Sequence, residues 1–477
     1  MHRFFFLRLW LSCVFLAAAY AAQMPSALAA DNNPLEKALQ LAKAHRYREA
    51  ASVIRGLPEP RDLEQRMTFL RLRASIESGL GNSNAAAADM EAAAKLAPDN
   101  PRLRAAASLA RLEAQLDAHL NPAATLQSLR TIELPADRRL ELRLHMGEVL
   151  SRAHLYREAA TDLAEAARLA PDHADIFFNL ALAYYYNGQW DAALESANRA
   201  KALEDSGSTE GLLGDIHEKR GDSLEAVHSY QAAVALEPNI EQHRLALAME
   251  LLRHQTFEAA ILVLEQAASL FPQSVHVKVL LGLSYYVVDR SADAVLTLLE
   301  ATRLKNDDDV AIRYLGEIIL QDTAAPDPTA LATLCSFADS HPLNKVANAL
   351  CGGGLLRAAQ ETGDASRRDE ILHRLRESAR VAPNEPHARC QLGKALEWSQ
   401  QWSEARAQLE ACVRLRPAWP EGHYRLARVY RRLGQTSLAS QQTKLQEQAA
   451  NDESEDSIRR ANTVSRFLVL FDRSEKF

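Results

Sequence analysis

No two histidines stand four residues apart, the spacing at which a helix offers two zinc ligands, and no Cys-x-x-Cys occurs among the 15 histidines and 5 cysteines of this 477-residue chain. Zinc-hydrolase chemistry therefore has no ligand set, and no metal is expected. Basic excess is missing too. Lys and Arg number 55 against 62 Asp and Glu, a formal charge of −7, which argues against nucleic acid as the main ligand because such binding leans on a strongly basic face. Beyond the first 22 residues no long apolar run follows, so the mature chain is expected to make no membrane span. Gly352, Gly353 and Gly354 form a glycine triplet with no strand before it and no Lys-Ser pair after it. A nucleotide loop is excluded on that ground, no cofactor is expected, and the triplet reads as loosening a helix, at about 1 kcal/mol per glycine relative to alanine.

The start of the chain has Arg3 and Arg8, an apolar run over 9–22 and a small-residue exit at Ala27, Leu28 and Ala29. That order predicts a secretory signal over 1–29, the run being shorter than the roughly twenty residues of a spanning helix. Export to a bacterial periplasm or medium is the corresponding expectation. Cys13 as a lipidation site is disfavoured because Trp10 stands where a leucine would be needed. Four cysteines remain, Cys335, Cys351, Cys390 and Cys412. In an oxidising compartment they could pair, Cys390 with Cys412 or Cys335 with Cys351. The reading favoured for Cys412 is that of an alanine-sized packing residue.

What the chain does have is a recurrence. Units start at Leu140, Ala174, Gly207, Glu241 and Val275, so the period is 34, 33, 34 and 34 residues. A period of that size signals a stacked helical array. Within a unit, small residues fall at positions eight, twenty and twenty-seven (Gly147, Ala159, Ala166) and large ones at seven, eleven and twenty-four (Met146, Leu150, Leu163), with a proline such as Pro171 near thirty-two. Small residues let two antiparallel helices approach closely, the large ones fill the space around the contact, and the proline closes the second helix. Glycine at position fifteen, as Gly188, Gly221 and Gly434, supplies the left-handed helix end.

These positions resemble the tetratricopeptide repeat. The frame fits again at Leu213, Gly214, His217, Ala226, Tyr230, Ala233 and Pro238, and at Leu392, Gly393, Leu396, Ala405, Leu409, Cys412 and Pro417. Weaker copies start at about Met67, Pro101 and Asp309, with a partial one over 35–58. The resemblance implies an all-α, right-handed α-solenoid of about twelve stacked helix-turn-helix repeats. It divides the chain into a signal (1–29), degenerate repeats (30–139), well-formed repeats (140–308), degenerate repeats with a glycine-rich bend (309–385), C-terminal repeats (386–450) and an acidic then apolar tail (451–477).

Gly221, Asp222, Ser223 and Leu224 spell a lipase-like tetrad, but turn and helix-cap roles account for all four. With repeats using nearly the whole chain, an enzyme is not expected. The resemblance implies instead that the first helices line an inner groove for protein or peptide partners. Carrying the family's inner positions over gives Phe178, Leu182, Tyr185 and Tyr186, then Leu245, Met249 and Leu252, then Val279, Leu283 and Tyr286. Aromatic residues give contact area with few rotors to freeze, although packing between neighbouring units would use the same residues. Arg425, Arg428 and Arg432 form a stripe that could receive an acidic segment, or a solvated end face. The family's carboxylate clamp is not implied, since Asn179 is isolated. The expected function is a non-catalytic scaffold or adaptor in the cell envelope; the alternative is a co-chaperone-like receptor for extended apolar client segments. The tail, with its apolar pentad at 467–471, reads as a cap for the final repeat.

Overall fold

The computed structural model describes residues 34–304, 309–321 and 325–452; the predicted signal over 1–29 and the tail beyond 452 lie outside them. The described residues form helices and no strand. In chain order the helices are α1 (Pro34–Lys43), α2 (Tyr47–Arg55), α3 (Leu63–Gly79), α4 (Ser83–Leu96), α5 (Pro101–Asp117), α6 (Ala123–Thr131), α7 (Ala136–Arg152), α8 (Tyr156–Leu169), α9 (Ala174–Tyr186), α10 (Trp190–Leu203), α11 (Gly207–Arg220) and α12 (Ser223–Leu236). Then follow α13 (Glu241–Arg253), α14 (Phe257–Leu270), α15 (Val275–Val287), α16 (Ser291–Leu304), α17 (Asp309–Gln321), α18 (Pro328–Ser340), α19 (Lys345–Thr362), α20 (Arg368–Val381), α21 (Pro386–Trp398), α22 (Trp402–Leu415), α23 (Pro420–Arg432) and α24 (Thr436–Asp452). Consecutive helices pair as the recurrence predicts. Two compact units, Met1–Ser229 and Tyr230–Phe477, divide the chain, the boundary falling within α12.

Local chemistry sets the helix starts. Asp62 accepts from the Gln65 amide at 2.9 Å, and Asn100, just before Pro101, accepts from Arg102 and Leu103 at 3.0 and 3.3 Å, each satisfying amides that a first helical turn leaves orphaned. Turns between paired helices pass through a left-handed residue, as expected at Gly188, Gly221 and Gly434. His45, His119, His154, Gln255, Asp289 and Gln400 take that conformation without being glycine, which costs a side-chain-bearing residue about 1 kcal/mol or more. The turn hydrogen bonds offset that cost; around His45 they are His45 N–H to Ala42 O at 3.0 Å and Arg46 N–H to Leu41 O at 2.9 Å.

Position twenty is an alanine without exposed surface in pair after pair, as at Ala159, Ala193, Ala226, Ala260 and Ala294. At position eight, a Cβ on Gly147 would stand 2.6 Å from Leu163, the residue at position twenty-four. That contact is why the small and large positions alternate. In the first unit, Asp162 of α8 is wholly buried and clamps Arg130 of α6 (2.7 Å) and Arg143 of α7 (2.5 Å).

Two expectations are corrected in the second unit. Cys390 and Cys412 form a disulfide joining α21 to α22, with Cα atoms 4.9 Å apart, and Cys335 and Cys351 form another joining α18 to α19 at 5.0 Å. Cys412 is as buried as an alanine-sized packing residue should be, but it faces Cys390, and two cysteines whose Cα atoms lie this close can be bridged without backbone movement. Nor do Gly352, Gly353 and Gly354 loosen their helix. α19 runs unbroken from Lys345 to Thr362, and added Cβ atoms would lie 2.8 Å from Leu375, 2.9 Å from Gln391 and Leu320, and 2.7 Å from Leu331. Close approach of four neighbouring side chains explains the triplet. Gly352→Leu is accordingly expected to lower the unfolding free energy by about 3 kcal/mol, the upper part of the overpacking range, because its contact is with the buried branch point of Leu375. Urea titration followed by circular dichroism checks this, and an unchanged midpoint would show the space to be open.

Candidate functional site

In the first unit a groove of about 1840 Å³ runs across the first four helix pairs. The first helices α1, α3, α5 and α7 supply most of it. Thr68, Arg71, Ser75 and Ser78 come from α3, while Arg102, Ala106, Ala110 and Glu113 come from α5. Helix α7 contributes Arg138, Glu141, His145 and Arg152. Spaced three, four or seven apart, these residues share one helix face.

The groove's polar wall is ordered by its own contacts. His145 Nε2 lies 2.9 Å from Glu113 Oε1, bridging α7 to α5. The Arg138 guanidinium donates to Glu141 at 2.9 Å, and the Ser83 hydroxyl donates to Asp117. At either end a turn of nearly the same sequence recurs: Ala44, His45, Tyr47, Arg48, Glu49 and Ala50 match Ala153, His154, Tyr156, Arg157, Glu158 and Ala159. In each, the histidine Nδ1 meets the tyrosine hydroxyl, at 3.0 Å for His45 and Tyr47 and 2.7 Å for His154 and Tyr156. Sequence reasoning missed this groove although its signal was present. Counting from Met67, Thr68, Arg71, Ser75 and Ser78 occupy positions two, five, nine and twelve, the inner set.

The residues singled out from sequence fall into three groups. Phe178, Leu182, Tyr185 and Tyr186 lie together on α9, each half-buried. Phe178, Leu182 and Tyr185 pack against a core that includes Ala181, Leu212 and Ile216, and the Tyr186 ring stacks on Tyr156 with centroids 4.8 Å apart. Burial, with Asp215 and Tyr156 adding to it, pushes the Tyr186 phenol far above its ordinary value. Leu182 and Tyr186, with Asn179, also border a small crevice against α7 and α8. These four serve packing and leave part of each side chain at the surface.

Met249 and Tyr286 are corrections. Both sit in the core of the second unit, 7% and 2% exposed, as do Leu245, Leu252, Val279 and Leu283. The next pair covers them: the Tyr286 hydroxyl donates to Gln321 on α17 at 3.4 Å. They offer a partner no surface.

The arginine stripe is corrected in a different way. Arg425 donates to Glu397 at 2.8 Å and to Glu421 at 2.9 Å, Arg428 lies 3.2 Å from Glu397, and Arg432 lies over the Trp402 ring at 5.6 Å. Glu397 is only 4% exposed. Arg425 is thus committed to the chain's own carboxylates, while Arg428 and Arg432 stay exposed, as on a solvated end face. Burial lowers the neighbouring Lys394 ammonium, which Glu421 opposes from 2.8 Å.

The tetrad at Gly221 is a turn. Gly221 takes φ +83°, and Arg220, then His217, hold the Asp222 carboxylate below its usual range. Among the described residues no three His, Cys, Asp or Glu side chains are grouped to hold a metal, and no helix is long and apolar enough to cross a membrane.

Among known proteins, the family model described as tetratricopeptide repeat matches residues 144–208, 212–275 and 245–309. No curated protein matches the sequence. Solved structures similar to this chain include YrrB, a tetratricopeptide-repeat protein with an unusual peptide-binding site, at 17% identity and TM-score 0.33, over 39% of this chain and 95% of that one. The C-terminal part of a repeat protein from Cytophaga hutchinsonii is similar at 16% identity and TM-score 0.40, over 59% and 98%. The Cut9-Hcn1 assembly matches at 14% identity and TM-score 0.35, over 88% and 89%. Likeness of that degree carries nothing about partners. The repeat model and the small-against-large packing seen at Gly147 and Leu163 together show the central helix pairs, over 144–309, to be tetratricopeptide repeats.

Proposed function

We propose that the chain is a non-catalytic scaffold of the cell envelope that takes an extended segment of a partner protein into the groove across its first four helix pairs. The groove carries this reading: one helix face from each of four successive pairs lies open, and small side chains such as Ala106 and Ala110 let a bound backbone come close. The envelope location is supported by the signal-like start and by the two disulfides, a modification that persists in oxidising compartments and is rare in the bacterial cytosol. A receptor for extended apolar client segments is the second reading, favoured by Leu120 standing exposed on the same groove.

A photo-crosslinker at Ser75, inside the groove, and one at Arg104, exposed and outside its lining, would test the proposal in envelope extract. One defined adduct from Ser75 and none from Arg104 is the expected result. A heterogeneous ladder from Ser75 would favour the client receptor, and equal labelling from both positions would remove the groove from consideration.

A further inference from the structure

We infer that the occupant of the N-terminal groove is an acidic, extended segment, an inference that rests on the groove reading above and names its ligand. Each first helix of the four pairs presents a cation to the groove: Lys43 from α1, Arg71 from α3, Arg102 from α5, and Arg138 and Arg152 from α7. Three carboxylates share the lining, and all are engaged: Glu113 with His145, Asp117 with Ser83, and Glu141 with Arg138. The side chains of Lys43, Arg102 and Arg152 form no ion pair or hydrogen bond among the described residues. The groove therefore holds a surplus of positive charge on a chain whose formal charge is −7.

Placement selects an extended ligand. The three uncommitted cations come from different helix pairs, so a ligand must run along the groove to meet them, and an extended chain does so at about 3.3 Å per residue. Charge pairing of this kind steers the encounter and rejects partners of the wrong sign. Nucleic acid is also anionic, but the lining has no phenylalanine or tryptophan and a single tyrosine, Tyr47, whereas single strands are held by successive stacking platforms. A peptide is the better fit.

The test uses the chain without residues 1–29 and three labelled peptides of equal length: one alternating Glu with Ala and Leu, one with Gln in place of Glu, one with Lys. Fluorescence anisotropy is expected to show the Glu peptide binding about tenfold or more tighter than the Gln peptide, with affinity falling as salt rises. The triple variant Lys43→Glu, Arg102→Glu, Arg152→Glu should lose that preference while keeping its helix content and thermal midpoint, since Lys43 and Arg152 are exposed and Arg102 is only half-buried. The milder triple variant Lys43→Gln, Arg102→Gln, Arg152→Gln removes the charge without reversing it. It should show a smaller loss of preference, and it keeps the test readable if the glutamate variant misfolds.

Equal binding of the Glu and Gln peptides, tighter binding of the Lys peptide, or tighter binding of a single-stranded oligonucleotide would overturn the acidic assignment. If the Gln peptide binds as well as the Glu peptide and quenches a dye placed at Ser75→Cys, the groove reading stands and only the acidic assignment falls. If no peptide binds, both fall.

Discussion

Reducing the two disulfides is expected to destabilise the unit that holds them by about 3 kcal/mol per bridge, the chain-entropy cost of releasing loops of this size. Cys335 and Cys351 are 16 residues apart, and Cys390 and Cys412 are 22 apart. Loops of nearly equal length should contribute nearly equally. Cys351, Cys390 and Cys412 are buried, and a reduced buried cysteine still packs as a small apolar residue, so the loss should come mainly from the freed unfolded chain. Trp398, Trp402 and Trp419 all belong to the second unit, which makes tryptophan fluorescence a probe weighted towards it. Urea titration with and without reductant should therefore show an earlier midpoint on reduction, and Cys390→Ala with Cys412→Ala should reproduce about half of the shift. Identical midpoints would mean that the bridges constrain nothing.

The helix pairs were legible because their signal is steric and local. Gly147 and Leu163 meet across one pair, and both stand at fixed places in one repeat, so the contact can be read from a single stretch of chain. What lies between repeats is less legible. Tyr286 occupies an inner position like any other, and nothing in its own repeat tells that Gln321 on the next first helix will reach it. Arg425 has Glu421 four residues before it, a partner visible in sequence, but its second partner, Glu397, comes from the preceding pair. The N-terminal groove is less legible for a chemical reason: it is lined by small and charged side chains such as Ser75, Ala106 and Arg102, which carry no aromatic signature of a binding surface. Cys412 was ambiguous because burial suits both a packing residue and half of a disulfide.

Asp162→Ala is expected to cost about 3–5 kcal/mol, the range for breaking a buried ion pair from one side. The carboxylate holds two guanidiniums, Arg130 at 2.7 Å and Arg143 at 2.5 Å, and Arg143 also donates to the Arg130 carbonyl at 3.1 Å. Removing Asp162 leaves the Arg143 guanidinium, whose side chain is only 10% exposed, without its ion-pair partner. Arg130 is more exposed and can turn to water, so most of the penalty belongs to Arg143. A comparison isolates that cause: Glu165 pairs with Arg168 on the same helix, but Arg168 is 75% exposed, so Glu165→Ala should cost no more than about 0.5 kcal/mol. Replacing all three members together, Arg130→Met, Arg143→Leu and Asp162→Leu, should recover much of the loss, because no buried charge is then left unpaired. Hydrogen exchange across α6, α7 and α8 reads the effect where it arises, since these three helices each supply one member. Faster exchange there in Asp162→Ala, little change in Glu165→Ala and recovery in the triple variant would show that the clamp joins the third helix pair to the fourth by satisfying charge; equal exchange in all three would assign its role to packing alone.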